Sequence, residues 1–253
     1  MSIKQNVARA KANYDEAYEA GKKAENDANW DRLQEYGTRI YYDYFFAGSY
    51  VTQEYIDSMK YPIVFPTEAT VYVRSCVGMF QWAGRRRTTV LDLTNVCKKI
   101  DFSKCKSATN TFANGRMDNI TADFSGCEIL SQTFSQNDMS DRVLTNVTIK
   151  VSEKCVFDNT FTYCSSLISL IFMEGSVIGQ KGLDLQRSTK LSKASFYSII
   201  NALSNTTSGL SIVLSLDAVN KAFETSEGAN DGSTSPEWLA LRATKENWGI
   251  NYA

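Results

Sequence analysis

The chain has 253 residues, 43% of them apolar and 22% charged, with 27 Lys and Arg against 28 Asp and Glu. That balance argues against disorder throughout, and a net charge of −1 leaves no overall field to draw the chain to nucleic acid or anionic lipid. Histidine is absent, which removes the commonest general base and metal ligand and with it Ser-His-Asp, Cys-His and most zinc hydrolase chemistry.

From Ile3 to about Tyr36 there is no proline and a single glycine, and Ala, Glu and Lys abound, so the composition predicts a long helix. Val7, Ala10, Tyr14, Ala17, Gly21, Ala24 and Ala28 fall at alternating spacings of three and four, forming a seam of small residues. The seam suits packing against identical helices or a docking surface, and equally one amphipathic helix lying on its own domain; Asp31 interrupts it. The stretch from Met1 to Asp15 is polar and lacks the apolar core of a secretory signal, so the expectation is synthesis in a cytoplasm without export. The longest apolar run, Leu167 to Met173, is too short to insert across a bilayer. Gly37 predicts the helix end. Tyr41, Tyr42, Tyr44, Phe45, Phe46, Tyr50 and Tyr55 then crowd together, either as core that caps the next part of the chain or as a sugar-binding platform. Pro62 and Pro66 bracket an extended Ile63-Val64-Phe65.

Between Val71 and Leu185 the chain repeats itself. Asp101-Phe102-Ser103-Lys104-Cys105 followed by Thr111-Phe112 returns as Asp123-Phe124-Ser125-Gly126-Cys127 followed by Thr133-Phe134, at a constant offset of 22. A fixed period carrying Phe and Cys at fixed phases is the mark of one short unit stacked on copies of itself. Phe80, Phe112, Phe134 and Phe161 recur near the turns, spaced by 32, 22 and 27, and each follows Met79, Thr111, Thr133 or Thr160. Strands are predicted at Val90–Leu93, Ile120–Phe124, Val147–Val151 and Leu167–Phe172. Phe80, Phe102, Cys105, Phe112, Phe124, Cys127, Phe134, Phe161 and Cys164 are the predicted repeat core. None of the six cysteines forms a Cys-x-x-Cys pair, and Cys105 and Cys127 share a phase, which predicts reduced, buried thiols ahead of disulfides or metal ligands.

Beyond Ser188 the pattern changes. Ser192 is a predicted N-cap for a helix that places Phe196, Ile199, Ile200 and Leu203 on one face. Leu210–Leu216 alternates as a strand, Asp217–Phe223 reads as a short helix, Ser235-Pro236 opens another, and Trp248–Tyr252 closes as a strand.

The segment Asn159-Thr160-Phe161, Tyr163-Cys164-Ser165-Ser166-Leu167 and Leu170-Ile171-Phe172 resembles the BspA-type leucine-rich repeat. The tail, through Ile199-Ile200-Asn201-Ala202-Leu203 to Ala243-Thr244-Lys245-Glu246-Asn247-Trp248, resembles the ending of such repeats in structural proteins of gut bacteriophages and prophages. Tyr18-Glu19-Ala20-Gly21-Lys22-Lys23-Ala24-Glu25 and Phe46-Ala47-Gly48 are similar to the opening of the same phage proteins. Only the Cys164 repeat matches closely, and those from Cys76 to Cys127 are irregular. The fold class expected is α+β: an N-terminal helical anchor and aromatic connector (1–66), an irregular leucine-rich-repeat-like β solenoid (67–187) and an α/β C-terminal cap (188–253). The resemblance implies a virion component of the tail, baseplate or a fibre. Its partners would be other virion proteins, identical copies through the N-terminal helix, and a host-surface protein or glycan. It implies no cofactor and carries over no catalytic residue.

Other chemistry has weaker motifs. Arg85-Arg86-Arg87 is a short basic run of the kind found in a solvated loop. Asp101 and Asp123, at one repeat phase, are the carboxylate pair that a glycan hydrolase or lyase would need, and equally a pair of turn-forming groups. Glu224, Glu227, Asn230 and Asp231 are oxygen donors without the ordered spacing of an EF-hand. Asn119-Ile120-Thr121, Asn146-Val147-Thr148 and Asn205-Thr206-Thr207 match the glycosylation pattern, which is idle without a secretory route. A bacterial surface adhesin is the alternative reading of the repeats.

Overall fold

The computed structural model describes residues 46–58, 63–64, 75–137 and 139–253. The seam from Val7 to Ala28 and the aromatics Tyr41 to Phe45 lie outside them.

One apolar core runs from Phe46 to Ile250, and its axis is a row of phenylalanine rings. Phe46 stacks on Phe80 at 4.9 Å, Phe80 on Phe112 at 5.2 Å, Phe112 on Phe134 at 5.5 Å and Phe134 on Phe161 at 5.1 Å, each pair within 17° of parallel. A second row is built by Phe102 and Phe124, 5.1 Å apart, which meet the first edge-on through Phe112 and Phe134. Offset stacking and edge contacts are the arrangements the ring quadrupole favours. Burying each ring contributes roughly 2–3 kcal/mol. Phe46 closes the near end of the row, so this member of the aromatic connector is core.

The residue before each Phe explains itself in the same way. Thr111, Thr133 and Thr160 are fully buried, and each hydroxyl donates to a carbonyl one turn back: Cys76 at 2.8 Å, Ala108 at 2.8 Å and Leu130 at 2.7 Å. A buried hydroxyl has to be paired, and here it ties neighbouring turns together. Backbone bonds run alongside, from Phe80 N to Thr111 O, Phe112 N to Thr133 O and Phe134 N to Thr160 O.

Among the described residues ten strands form, all paired in parallel. β1 (Ile63–Val64) pairs with β3 (Ile100–Asp101), and β2 (Leu91–Asp92) with β4 (Met117–Asp118). β5 (Ile120–Phe124), β6 (Asn146–Val151) and β7 (Ser169–Phe172) make a three-stranded sheet in which Ile120, Val147 and Leu170 share a register, as do Ala122, Ile149 and Phe172. These inward residues are buried, while Thr121, Thr148 and Ile171 face outward, the alternation a half-buried sheet requires. β8 (Asp184–Leu185), β9 (Leu210–Leu214) and β10 (Trp248–Tyr252) form the last sheet, with β9 central.

These four separate small sheets, with a few short helices, correct the expectation of a β solenoid. The described residues form an α+β fold in which no continuous solenoid sheet runs from one end to the other. The physical reason lies in the unequal spacing of the turns: β1 to β4 are two residues each and pair in two separate sheets, so the hydrogen-bonded ladder does not carry through. What persists from turn to turn is the ladder of side chains, with single backbone bonds and the isolated parallel bridges Ser75–Ser107–Ile129–Val156 beside it. Val90, Leu93, Leu167 and Ile168 also fall outside the strands predicted to contain them.

The C-terminal part covers the open edge of β7. Ser192 caps the helix Lys193–Ala202 by accepting from Ser195 N, and Phe196, Ile199 and Ile200 are buried. From the same helix Ser195 Oγ accepts from Leu170 N at 2.9 Å and Ser198 Oγ from Phe172 N at 2.7 Å. Side-chain oxygens thus take the amides that an edge strand would leave unpaired. Helices Leu216–Ala222 and Pro236–Ala243 come next, capped by Ser215 and Ser235, and Trp238 Nε1 donates to Tyr252 Oη at 2.7 Å.

Candidate functional site

Stacking the turns places one left-handed position in each of the four and a second in all but the Phe134 turn. The first precedes the Thr-Phe or Met-Phe pair and holds Gly78, Asn110, Gln132 and Asn159, with φ between 52° and 61°. The second lies two residues past the Phe, where Trp82 (φ 59°), Asn114 (54°) and Tyr163 (59°) adopt the same backbone. Backbone bonds from Trp82 N to Ala113 O, Asn114 N to Ser135 O and Gln136 N to Thr162 O align Trp82, Asn114, Gln136 and Tyr163 in one row. Glycine and asparagine fit such a backbone, whereas a bulky aromatic is strained there. Strain of this kind gathers at sites held for a purpose other than stability.

Tyr163 is 42% exposed. The guanidinium of Arg142 lies 5.1 Å from its ring centroid and that of Arg187 5.8 Å. Neither arginine forms an ion pair among the described residues. The acid next in sequence, Asp141, is engaged by Arg116 instead. Two guanidinium groups held on an aromatic face without a carboxylate form a site for an anion. Among the described residues, five buried side-chain polar atoms lack a partner: Trp82 Nε1, Ser135 Oγ, Gln136 Oε1, Arg142 Nε and Ser188 Oγ. Trp82 and Gln136 belong to the row, Ser135 and Ser188 adjoin Gln136 and Arg187 in the chain, and Arg142 packs on Tyr163.

A second Tyr-Arg group differs. Arg86 Nη1 donates to Tyr50 Oη at 3.1 Å, and Arg87 Nε and Nη2 donate to the Tyr50 carbonyl at 3.3 and 2.9 Å. Here the basic run fastens a loop.

The carboxylate pair is used locally. Asp101 Oδ1 accepts from Ser103 N at 3.0 Å and from its hydroxyl at 2.6 Å, and Asp123 Oδ1 accepts from Ser125 N at 2.8 Å. Asp92 and Asp184 close the same kind of turn on Thr94 and Gln186. In the acidic loop, Asp231 takes the amide and hydroxyl of Thr225, and Glu224 accepts from Gly228 N. No cluster of three or more metal-ligating side chains occurs among the described residues.

Phe80, Phe102, Cys105, Phe112, Phe124, Cys127, Phe134, Phe161 and Cys164 are all buried, as their phase predicts. All six thiols are free and buried. Cys76 and Cys105 lie with sulfurs 3.2 Å apart, and Cys164 Sγ donates to Phe134 O at 3.1 Å. Burial pushes the thiols of Cys97 and Cys155 up to about 12 and raises Cys127 and Cys164 well above the thiol range. Such thiols are inert packing. No described helix is long and apolar enough to cross a membrane.

Sequence reasoning missed Tyr163, Arg142, Arg187, Ser135 and Gln136 as a group. Tyr163 carried one legible signal, an aromatic at the phase that Asn114 occupies; the two arginines come from loops far apart in the chain and carry none.

Comparison of the chain with protein-family models, curated proteins and solved structures returns no match.

Proposed function

We propose that the chain is a non-enzymatic structural protein of a bacteriophage particle, part of a tail, baseplate or fibre, that presents Tyr163 and the arginines beside it to a host surface. It would be assembled in the bacterial cytoplasm with other virion proteins, and the Val7 to Ala28 seam would join identical copies. The observation that carries the binding part is Tyr163 itself, an exposed aromatic ring on a left-handed backbone beside two guanidinium groups that form no ion pair among the described residues. The virion setting is supported by the resemblance of the C-terminal segments and of the N-terminal opening to phage structural proteins.

A glycan-degrading enzyme would need two carboxylates poised across a bound sugar. Asp101 and Asp123 each close a turn with the residue two ahead, a role that Asp fills without any catalytic demand, which supports the non-enzymatic reading.

Competition tests the proposal. Purified full-length chain, added in excess, should slow adsorption of the particles to host cells; adsorption unchanged at saturating chain would contradict a role in recognition. The same protein mixed with host capsule or wall polysaccharide should release no new chain ends. Turnover that disappears in Asp101→Asn or Asp123→Asn would replace this proposal with an enzyme.

A further inference from the structure

We propose that Cys76 and Cys105 are a latent disulfide: hydrogen peroxide converts the adjacent thiols into a bond that staples the Phe80 turn to the Phe112 turn. The proposal goes beyond the recognition function and does not depend on it.

Position gives the first argument. The Cys76 carbonyl accepts from the amide three residues ahead, at Met79, as those of Ala108, Leu130 and Phe157 do from Thr111, Thr133 and Thr160. Cys76 thus occupies the slot that an apolar side chain fills in each later turn, and all four residues are buried. Its sulfur lies 3.2 Å from that of Cys105 and 3.4 Å from the Thr111 hydroxyl. Cys105 belongs to another phase, the one it shares with Cys127. The period by itself therefore does not pair these thiols; a cysteine in the slot of Ala108 does.

Reach gives the second. Cys76 N donates to Ser107 O at 3.0 Å, and Ser75 bridges Ser107 in parallel, which holds the two segments at the spacing of paired strands. Both thiols point to one place, since Cys105 Sγ lies 3.1 Å and Cys76 Sγ 3.6 Å from the Ser107 carbonyl oxygen. A bond of about 2.05 Å asks the sulfurs to approach by roughly 1.1 Å, a matter of small side-chain rotations. Cys127 also lies against Cys105, but burial and the Cys105 sulfur raise its thiol well above the ordinary range, which keeps it protonated and a poor competitor.

The chemistry balances without a cofactor. Both sulfurs are buried, so peroxide reaches them when the turn opens locally. One cysteine, as thiolate, attacks a peroxide oxygen; the O–O bond breaks, leaving a sulfenic acid and a hydroxide that takes up the thiol proton as water. The second thiol attacks that sulfur, the S–O bond breaks, and its proton leaves with the oxygen as a second water. Two cysteines lose two electrons and one peroxide gains them. In the virion reading the pair stays reduced during assembly in the cytoplasm and closes after release into an oxidising medium.

The test treats the native full-length chain with hydrogen peroxide, removes the excess, alkylates in denaturant and reads the mass. About 2 Da should be lost and two of the six thiols protected from alkylation, both reversed by a phosphine reductant, with the linked peptides carrying Cys76 and Cys105. The bond joins residues 29 apart in sequence, so the melting midpoint of the linked chain should rise by roughly 5–10 °C. Cys76→Ala places the residue type of Ala108 in the same slot, so it should fold, and it should abolish the link; Cys127→Ala should keep it. Six thiols still alkylated after treatment, or a link mapped to Cys105 and Cys127 or persisting in Cys76→Ala, would overturn the proposal. So would a melting midpoint that stays unchanged or falls, which would make the bond damage to the packing and no staple. Each of these results leaves the adsorption experiment, and with it the recognition function, to be decided separately.

Discussion

The rings of Phe112 and Phe134, one sequence period apart, lie 5.5 Å from each other and within 4° of parallel. Each also stacks on a further ring, Phe80 or Phe161, so both are interior members of the row. Replacing either with alanine should leave a cavity that neighbours on both sides hold open, and should lower stability by about 3–5 kcal/mol. Denaturant midpoints measure it, and a loss below about 1 kcal/mol would mean that the row collapses around the gap.

Thr133→Val tests the hydroxyl ladder. The Ala108 carbonyl still accepts from Thr111 N at 3.2 Å when the Thr133 donor is removed, so no acceptor is orphaned. The loss should be only about 1 kcal/mol, by the same measurement.

Gly126 stands where the preceding repeat has Lys104, and the structure explains the departure. A Cβ on Gly126 would come within 2.0 Å of the Ser103 carbonyl oxygen and 3.0 Å of its carbon, both backbone atoms that cannot swing aside. Gly126→Ala should therefore force the turns apart and cost about 3 kcal/mol, although Gly126 is only half-buried.

Cys97 and Cys155 give a pH signature. An ordinary thiol titrates near 9.0, and burial pushes these two up to about 12 in the folded chain. Between those values the unfolded chain has released protons that the folded chain still holds. Stability should thus fall as pH rises from 9 toward 12, by about 1.4 kcal/mol per pH unit for each thiol. The stability difference between the native chain and Cys97→Ala should shrink correspondingly above pH 9, as read from urea midpoints across pH. A difference that stays constant would mean that Cys97 titrates as it does in the unfolded chain.

The Phe, Thr and Cys phases were legible because every turn has to fill the same interior slot, and that demand writes a period into the sequence. The caps Ser192 and Ser235 were legible because the need of a helix start is local. The sheets were less so: strands of two residues such as β1 to β4 leave almost no alternation to detect, and their pairing is decided by turn lengths that differ from one repeat to the next. A regular period therefore suggested a continuous solenoid where four separate sheets form. The candidate site was largely illegible, since Arg142, Tyr163 and Arg187 come from three separate loops, before β6, before β7 and after β8.

Mass spectrometry of intact phage particles, purified from a culture whose genome encodes the chain, tests the proposed function most directly. Peptides from across the chain at an abundance fixed relative to the major particle proteins are the expected result. Their absence from the particles, with the full-length chain recovered from the surface of uninfected cells, would contradict the virion assignment and favour a bacterial adhesin.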